Sequence, residues 1–267
     1  MANRDIELSV IVPVFNRERT IAKNLKIIEG AIAEFEKNFE IITVNDGSTD
    51  NTLRELKKVQ STKIRVCGYS RNKGKGFALS YGFSKARGKL IAFLDCDLDL
   101  HPRQLKEFYN HIATHHIVIG SKRHPRSVVS YPLKRRILSA LYQTLISLVF
   151  GLNVRDTQVG IKLAKRTLLE DVLSRLVVKR YAFDLELLVV AHKLGYKIKE
   201  APIVLNYQFD GTGINIKAIW HILVDTLAIA YRLYWLRYYD KKHTCFGMAG
   251  YPQSLVWRGR KGYRPLS

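Results

Sequence analysis

The sequence predicts an α/β protein: a mostly parallel sheet covered on both faces by helices. Three observations lead there. From Glu7 to Ile119, short β-branched apolar runs alternate with amphipathic helical segments, the pattern of a parallel sheet with helical crossovers. The runs are nearly continuous in apolar residues, as strands buried on both faces are. Each run also ends in Asp, Asn, Gly, Lys or Arg, at the edge where such sheets take their ligands.

Taken in order, Glu7 to Val14 (ELSVIVPV) is the first strand, ended by Pro13 and Asn16. Arg19 to Phe35 has apolar residues near helical spacing, at Ile21, Leu25, Ile28, Ile32 and Phe35, and reads as a helix. Further strands are expected at Glu40 to Val44, Ile64 to Tyr69, Leu90 to Leu94 and His116 to Ile119. Helices are expected at Asp50 to Val59, Gly76 to Ala86 and Pro102 to Ala113. Ile137 to Val154 is the longest stretch without a formal charge, at the low edge of spanning length, but Gly151 and Asn153 break it. Ser139, Gln143, Thr144 and Ser147 fall near one face of Ile137 to Phe150, so that segment is expected to be an amphipathic helix and not a span.

At 267 residues, 47% hydrophobic and 25% charged, the chain can bury a large core and is not disordered. The 44 Lys and Arg against 23 Asp and Glu, a net +21, favour an anionic partner without choosing among nucleic acid, membrane and phosphorylated substrate. Two regions lack acids altogether, Phe108 to Arg155 and Lys241 to Ser267, and both carry clustered Lys and Arg. Cys67, Cys96 and Cys245 are odd in number and widely spaced, which argues for a reducing compartment and against a zinc or disulfide framework. The amino-terminal residues run into the first strand with no apolar leader, so a cytoplasmic location is expected. His111, His115 and His116 have no acid or cysteine beside them in sequence and read as an exposed helix end.

The chemistry concentrates after the strands, in PVFNRE (Pro13 to Glu18), NDGSTD (Asn45 to Asp50), RNKGKG (Arg71 to Gly76) and DCDLD (Asp95 to Asp99). If the fourth strand continued, Asp95, Asp97 and Asp99 would point to one face, where three carboxylates repel one another unless a cation compensates them. All-oxygen ligands suit Mg2+ or Mn2+, which also bind substrate phosphates.

This ordered set, PVFN, NDGSTDNT, RNKGKGFAL and the DxD-type LDCDLD, resembles the inverting glycosyltransferases of family 2 with a GT-A fold. The likeness extends over about the first 210 residues. Past the DxD, GSKR (Gly120 to Arg123), YPLKRR (Tyr131 to Arg136) and DTQVGIK (Asp156 to Lys162) resemble the dolichyl- and polyprenyl-phosphate glucosyl- and mannosyltransferases, the DTQxGxK form being nearest the glucosyl type. The resemblance implies a GT-A domain over residues 1–212, divided into a nucleotide-binding half at 1–121 and an acceptor half at 122–212. An amphipathic helix at 213–240 and a basic tail at 241–267 would follow. It implies donor contacts at Pro13, Phe15, Asn16, Glu18, Asp46, Lys75, Gly76, Asp95 and Asp97, with Asp46 accepting from the base edge. Asp95 and Asp97 would hold the metal, and Asp99 is the candidate further ligand. Lys122, Arg123 and Arg135 would meet the acceptor phosphate. Asp97 and Asp156 are the catalytic candidates, Asp156 as base if the acceptor is a hydroxyl and as an orienting group if it is a phosphate.

The implied reaction moves a hexose from a nucleotide sugar, UDP-glucose before GDP-mannose, to a polyprenyl or dolichyl phosphate at the cytoplasmic face of a membrane. A family 2 enzyme acting on a sugar hydroxyl is the alternative. Ile137 to Phe150 and Ile219 to Leu236 either lie at an anionic bilayer surface or pack internally. Nucleic acid is not an expected partner, because the carboxylate motifs have no use in that role. This chain departs from the family pattern at Arg17, where an acid is common, and at Asn45, where the first of two acids is usual. No counterpart of the carboxy-terminal basic residue is clear in Phe209 to Asn215, Lys217 being the candidate. The Gln-x-x-Arg-Trp pattern of processive synthases is missing, which favours a single transfer per encounter.

Overall fold

A computed structural model describes residues 6–129, 133–179, 182–205 and 216–241; for 133–137 and 216–219 the backbone alone is described. Seven strands form the main sheet: β1 (Leu8–Val14), β2 (Phe39–Asp46), β3 (Ile64–Tyr69), β4 (Leu90–Phe93), β5 (Ile117–Ser121), β7 (Lys162–Lys165) and β8 (Ile198–Pro202). Their order is β3-β2-β1-β4-β7-β5-β8. All are parallel except β7, which runs against both β4 and β5. The short β6 (Val128–Val129) and β9 (Val204–Leu205) pair separately. The expected α/β architecture is the one found, and strands from both expected halves share one sheet.

Period-two alternation sorts the strand side chains to two cores. Leu8, Val10, Val12 and Val14 of β1 face α1 (Ile21–Ala33), which buries Ile21, Leu25, Ile28 and Ile32, with α4 (Leu105–Ile112) beyond it. Ile11 faces the opposite core, where α3 (Lys75–Lys85) and α7 (Phe183–Lys193) pack with the inward residues of α5 (Leu133–Phe150). The residues expected for a helix at Pro102 to Ala113 divide into a 3-10 turn at Pro102–Gln104 and then α4. Proline lacks the N–H that an α-helix interior needs, which fits it to the first turn. The remaining helices are α2 (Thr52–Lys58), α6 (Arg166–Val172) and α8 (Ile216–Tyr234).

A charged group, Glu40, is buried in the sheet with its partners supplied. The Glu40 carboxylate, 2% exposed, accepts from Ser9 Oγ at 2.9 Å, Arg65 Nη1 at 2.9 Å, and the Arg87 backbone N–H at 2.8 Å and Nη2 at 2.9 Å. Burial pushes its pKa up, but the two arginines and the serine outweigh that and hold it below the usual carboxylate value.

The amphipathic helices both pack internally and expose an apolar stripe. Tyr142 on α5 meets Thr226 on α8 at 2.9 Å. Buried Glu186 ties α8 down, accepting from Arg232 Nη1 at 3.0 Å and Tyr239 Oη at 2.6 Å. Outward from this seam stand Leu138, Leu141, Leu145 and Leu148 on α5, and Trp220, Val224, Leu227 and Tyr231 on α8, all exposed. Among the described residues, no helix is long and apolar enough to cross a membrane. The tail from residue 242 and the Phe209 to Asn215 segment lie outside the described residues.

Candidate active site

The strand order reverses at β1, which has β2 on one side and β4 on the other, and ligand crevices form beyond the carboxyl ends of strands at such a switch. A cavity of about 550 Å³ opens there, lined by Pro13, Phe15, Asp46, Lys75, Asp95 and Asp97 among others. Six of the expected donor residues therefore come together, although they span more than eighty positions of sequence.

The charged members are held by identifiable contacts. Asp46 ends β2, and its carboxylate accepts from the Lys73 and Gly74 N–H groups at 2.8 and 3.0 Å and from Asn72 Nδ2 at 3.1 Å. A carboxylate has about four acceptor sites, so one lone pair remains for a base edge. Gly47 follows at φ +64°, and a Cβ there would meet the Arg71 backbone at 2.3 Å, which restricts the turn to glycine. Phe15 leaves its ring exposed on the rim, available for stacking.

Lys75 opens α3 and places Nζ 2.5 Å from Asp95 Oδ1. Burial alone would lower its pKa, but Asp95 and Asp184 raise it above the usual lysine value. At Asp97, burial and then the neighbouring Asp95 charge raise the carboxyl pKa. Two crowded carboxylates open to a cavity fit a hard divalent cation that completes its shell with phosphate oxygens.

The three-aspartate expectation needs correction. β4 stops at Phe93, and the chain turns through Leu98 at φ +66°, so the strand alternation that would align Asp99 is lost. Asp99 does not line the cavity, and its N–H donates to Asp97 Oδ1 at 3.3 Å. Among the described residues, no cluster of three or more His, Cys, Asp or Glu is disposed to hold a metal. The pair Asp95 and Asp97 is what fits one.

Other expected donor residues shape the cavity from outside its lining. Asn16 adopts φ +51° and exchanges hydrogen bonds with Thr49, its Oδ1 accepting from Thr49 N at 2.9 Å. Glu18 accepts from the Asn51 N–H at 2.9 Å. Gly76 lies against Phe183, whose ring a Cβ would meet at 2.6 Å.

Because β7 is antiparallel to β4, the residues entering it arrive at the same sheet edge. Gln158 lines the cavity, and Gly160 packs on Asp95. At the start of α7, Phe183 and Asp184 complete the wall. Asp184 pairs with Lys162, 1% exposed, at 2.8 Å. Sequence reasoning missed Asp184; its signal was two acids, Asp184 and Glu186, in the first turn of a helix that continues with the apolar run Leu187 to Ala191. Buried carboxylates require partners.

Asp156 is buried and outside this cavity. It accepts from the Lys122 and Gln158 N–H groups at 3.2 and 3.1 Å and stands 3.8 Å from Lys122 Nζ. Its two oxygens hold the Lys122 and Gln158 backbones and face the Lys122 ammonium, which places Asp156 beside Lys122 and not among the donor residues. Lys122 and Arg123 instead line a second cavity of about 780 Å³, with His124, Arg155 and the polar face of α5. The Arg135 side chain lies outside the described residues.

The chain is similar to known proteins over most of its length. Over 239 residues the chain is 32% identical to a dolichyl-phosphate beta-glucosyltransferase of Trichomonas vaginalis, covering 84% of this chain and 73% of that protein. The human dolichyl-phosphate beta-glucosyltransferase is 31% identical over 225 residues, covering 75% and 67%. Among solved structures, glucosyl-3-phosphoglycerate synthase from Mycobacterium tuberculosis in complex with Mn2+, uridine diphosphate and phosphoglyceric acid superposes with a TM-score of 0.63 at 20% identity, covering 84% of this chain and 77% of that one. The GT-A fold expected from the motifs is therefore the fold found. The model of the glycosyl transferase family 2 domain matches residues 9–173, from β1 through α6, and takes in every loop of the cavity except the start of α7. By that match and those relatives, this chain is a glycosyltransferase and belongs to glycosyl transferase family 2.

Proposed function

We propose that the protein transfers glucose, with inversion, from a nucleoside diphosphate sugar to a polyprenyl or dolichyl phosphate at the cytoplasmic face of a membrane. UDP-glucose is the preferred donor and GDP-mannose the next. The observation that carries this reading is the gathering of Phe15, Asp46, Lys75, Asp95 and Asp97 around one cavity, next to the Lys122–Asp156 pair. The similarity to dolichyl-phosphate beta-glucosyltransferases supports the acceptor and the sugar.

In this reading Phe15 would stack on the base, Asp46 would accept from its edge, and Asp95 and Asp97 would hold Mg2+ or Mn2+ at the diphosphate. The ion would supply neutralisation of charge on the leaving group. An acceptor phosphate oxygen is already anionic at neutral pH, so its attack on the anomeric carbon asks little of a general base. A new carbon–oxygen bond forms to the lipid phosphate as the bond to the diphosphate breaks. Lys122, held by Asp156, and Arg123 would align the incoming phosphate, so catalysis rests on positioning and charge. The apolar stripe on α5 and α8 supports docking on a bilayer, and Leu148 belongs both to that stripe and to the lining of the basic cavity.

The test is incubation with polyprenyl phosphate, Mg2+ or Mn2+ and a panel of labelled nucleotide sugars, followed by extraction of the lipid phase. Labelled glucose there is the expected result. A water-soluble product alone would favour a hydroxyl acceptor.

A further inference from the structure

We propose that Arg17 contacts the donor's diphosphate and lends it a standing positive charge, so that this protein binds nucleoside diphosphate without a divalent cation. The inference rests on the donor-cavity reading and deepens it.

Arg17 lines the cavity on the side of Cys96 and Asp97, its guanidinium reaching the Cys96 thiol and its charge facing the Asp97 carboxylate. Its backbone is fixed: the N–H donates to Thr52 Oγ1 at 2.6 Å, and the carbonyl accepts from Ile21 N at 3.0 Å as α1 begins. The left-handed turn at Asn16 sets the direction of the chain entering this position, a conformation that asparagine tolerates well.

Charge in the lining shows why such a residue matters. Four carboxylates, Asp46, Asp95, Asp97 and Asp184, face two cations, Arg17 and Lys75. That surface repels a diphosphate unless positive charge is added or freed. Lys75 is already engaged, 2.5 Å from Asp95. Arg17 makes no close ion pair among the described residues, and its exposed side chain has room to turn toward the ligand. A guanidinium offers two parallel N–H donors to phosphate oxygens and never loses its charge. An acid at this position would have added to the repulsion.

The experiment is calorimetric titration of wild type, Arg17→Ala, Arg17→Lys and Arg17→Glu with UDP, GDP and uridine, each in EDTA and in saturating Mn2+, with thermal melts to confirm folding. Wild type is expected to bind UDP or GDP in EDTA. Arg17→Ala should weaken that binding by roughly tenfold, Arg17→Lys by less and Arg17→Glu by more, the losses shrinking in Mn2+ and uridine binding staying constant. Equal diphosphate affinity of wild type and Arg17→Ala in EDTA would overturn the proposal. So would an equal loss for uridine, or the absence of metal-free binding in wild type while binding in Mn2+ is intact. If neither nucleotide binds under any condition, the donor-cavity reading fails with it.

Discussion

Gly160→Ala tests whether the position of Asp95, and not only its charge, matters. A Cβ at residue 160 would lie 1.8 Å from Asp95 Oδ2 and 2.6 Å from Cγ. Ordinary contact requires the carboxylate to retreat by about 1.5 Å. Asp95 can do so because its side chain is 32% exposed, but it leaves Lys75. A strained rotamer costs about 0.5–1.5 kcal/mol, and a partly exposed ion pair contributes about 0.2–1 kcal/mol. The entropy gained on replacing glycine returns about 0.4–1 kcal/mol. The net destabilisation is therefore about 1 kcal/mol, a fall in Tm of about 2–4 °C for a domain of this size. Transfer should suffer far more, because a charge-stabilising group displaced from the reacting centre typically costs 100-fold to 1000-fold, about 2.7–4 kcal/mol. The assay is a double-mutant cycle with Asp95→Ala, reading kcat, Mn2+ titration in the presence of UDP, and Tm. In the Asp95→Ala background nothing is left to clash, so Gly160→Ala should have little further effect on kcat. Additive losses in kcat, or a single mutant with normal kcat and Mn2+ response, would refute the reasoning.

Asp97→Ala should abolish transfer, by about 1000-fold, while Asp99→Ala lowers it by no more than about threefold; comparable losses would restore Asp99 to the metal site. By accessible surface Asp97 is exposed at the cavity mouth and Asp99 is half-buried in the same loop, so melting should move little in either variant. Glu40 predicts an acid limb of stability. Because Arg87, Arg65 and Ser9 hold its folded pKa below the ordinary 4.5, its contribution is fully present above that pH and is lost as pH falls through the folded value. Glu40→Gln should lower Tm by several degrees at pH 7 and flatten the dependence below pH 4.5; parallel curves for the two proteins would contradict this. Leu148→Glu with Leu227→Glu should cut sedimentation with vesicles by about tenfold or more and leave Tm nearly unchanged, since both residues are exposed. Unchanged sedimentation would argue against the apolar stripe as the docking face.

The local patterns were readable because strands and helices have fixed periods. β3 was found at the expected residues, and β1, β2, β4 and β5 within two residues at either end. The loops that carry Asp46 and the Asp95–Asp97 pair were recognisable because ligand-binding groups follow the strands of a parallel sheet. Phe183 and Asp184 were not, because their helix is almost wholly buried and lacks the polar face that reveals an amphipathic segment. The side chain of Lys162 illustrates the same limit: part of a recognisable DTQVGIK run, it is buried against Asp184 through a contact between residues twenty-two positions apart.

By itself the sequence determined the fold class, the succession of elements and the chemical character of the loops, since these follow from hydrophobic period and residue type. The tertiary structure decided which charges share a space. Strand β7 reverses direction beside β4 and so brings Gly160 onto Asp95. The turn at Leu98 takes Asp99 out of line. The turn after β1 leads into Arg17, which faces Asp97. Each outcome depends on backbone direction and on long-range packing, and neither is encoded in any short stretch of residues.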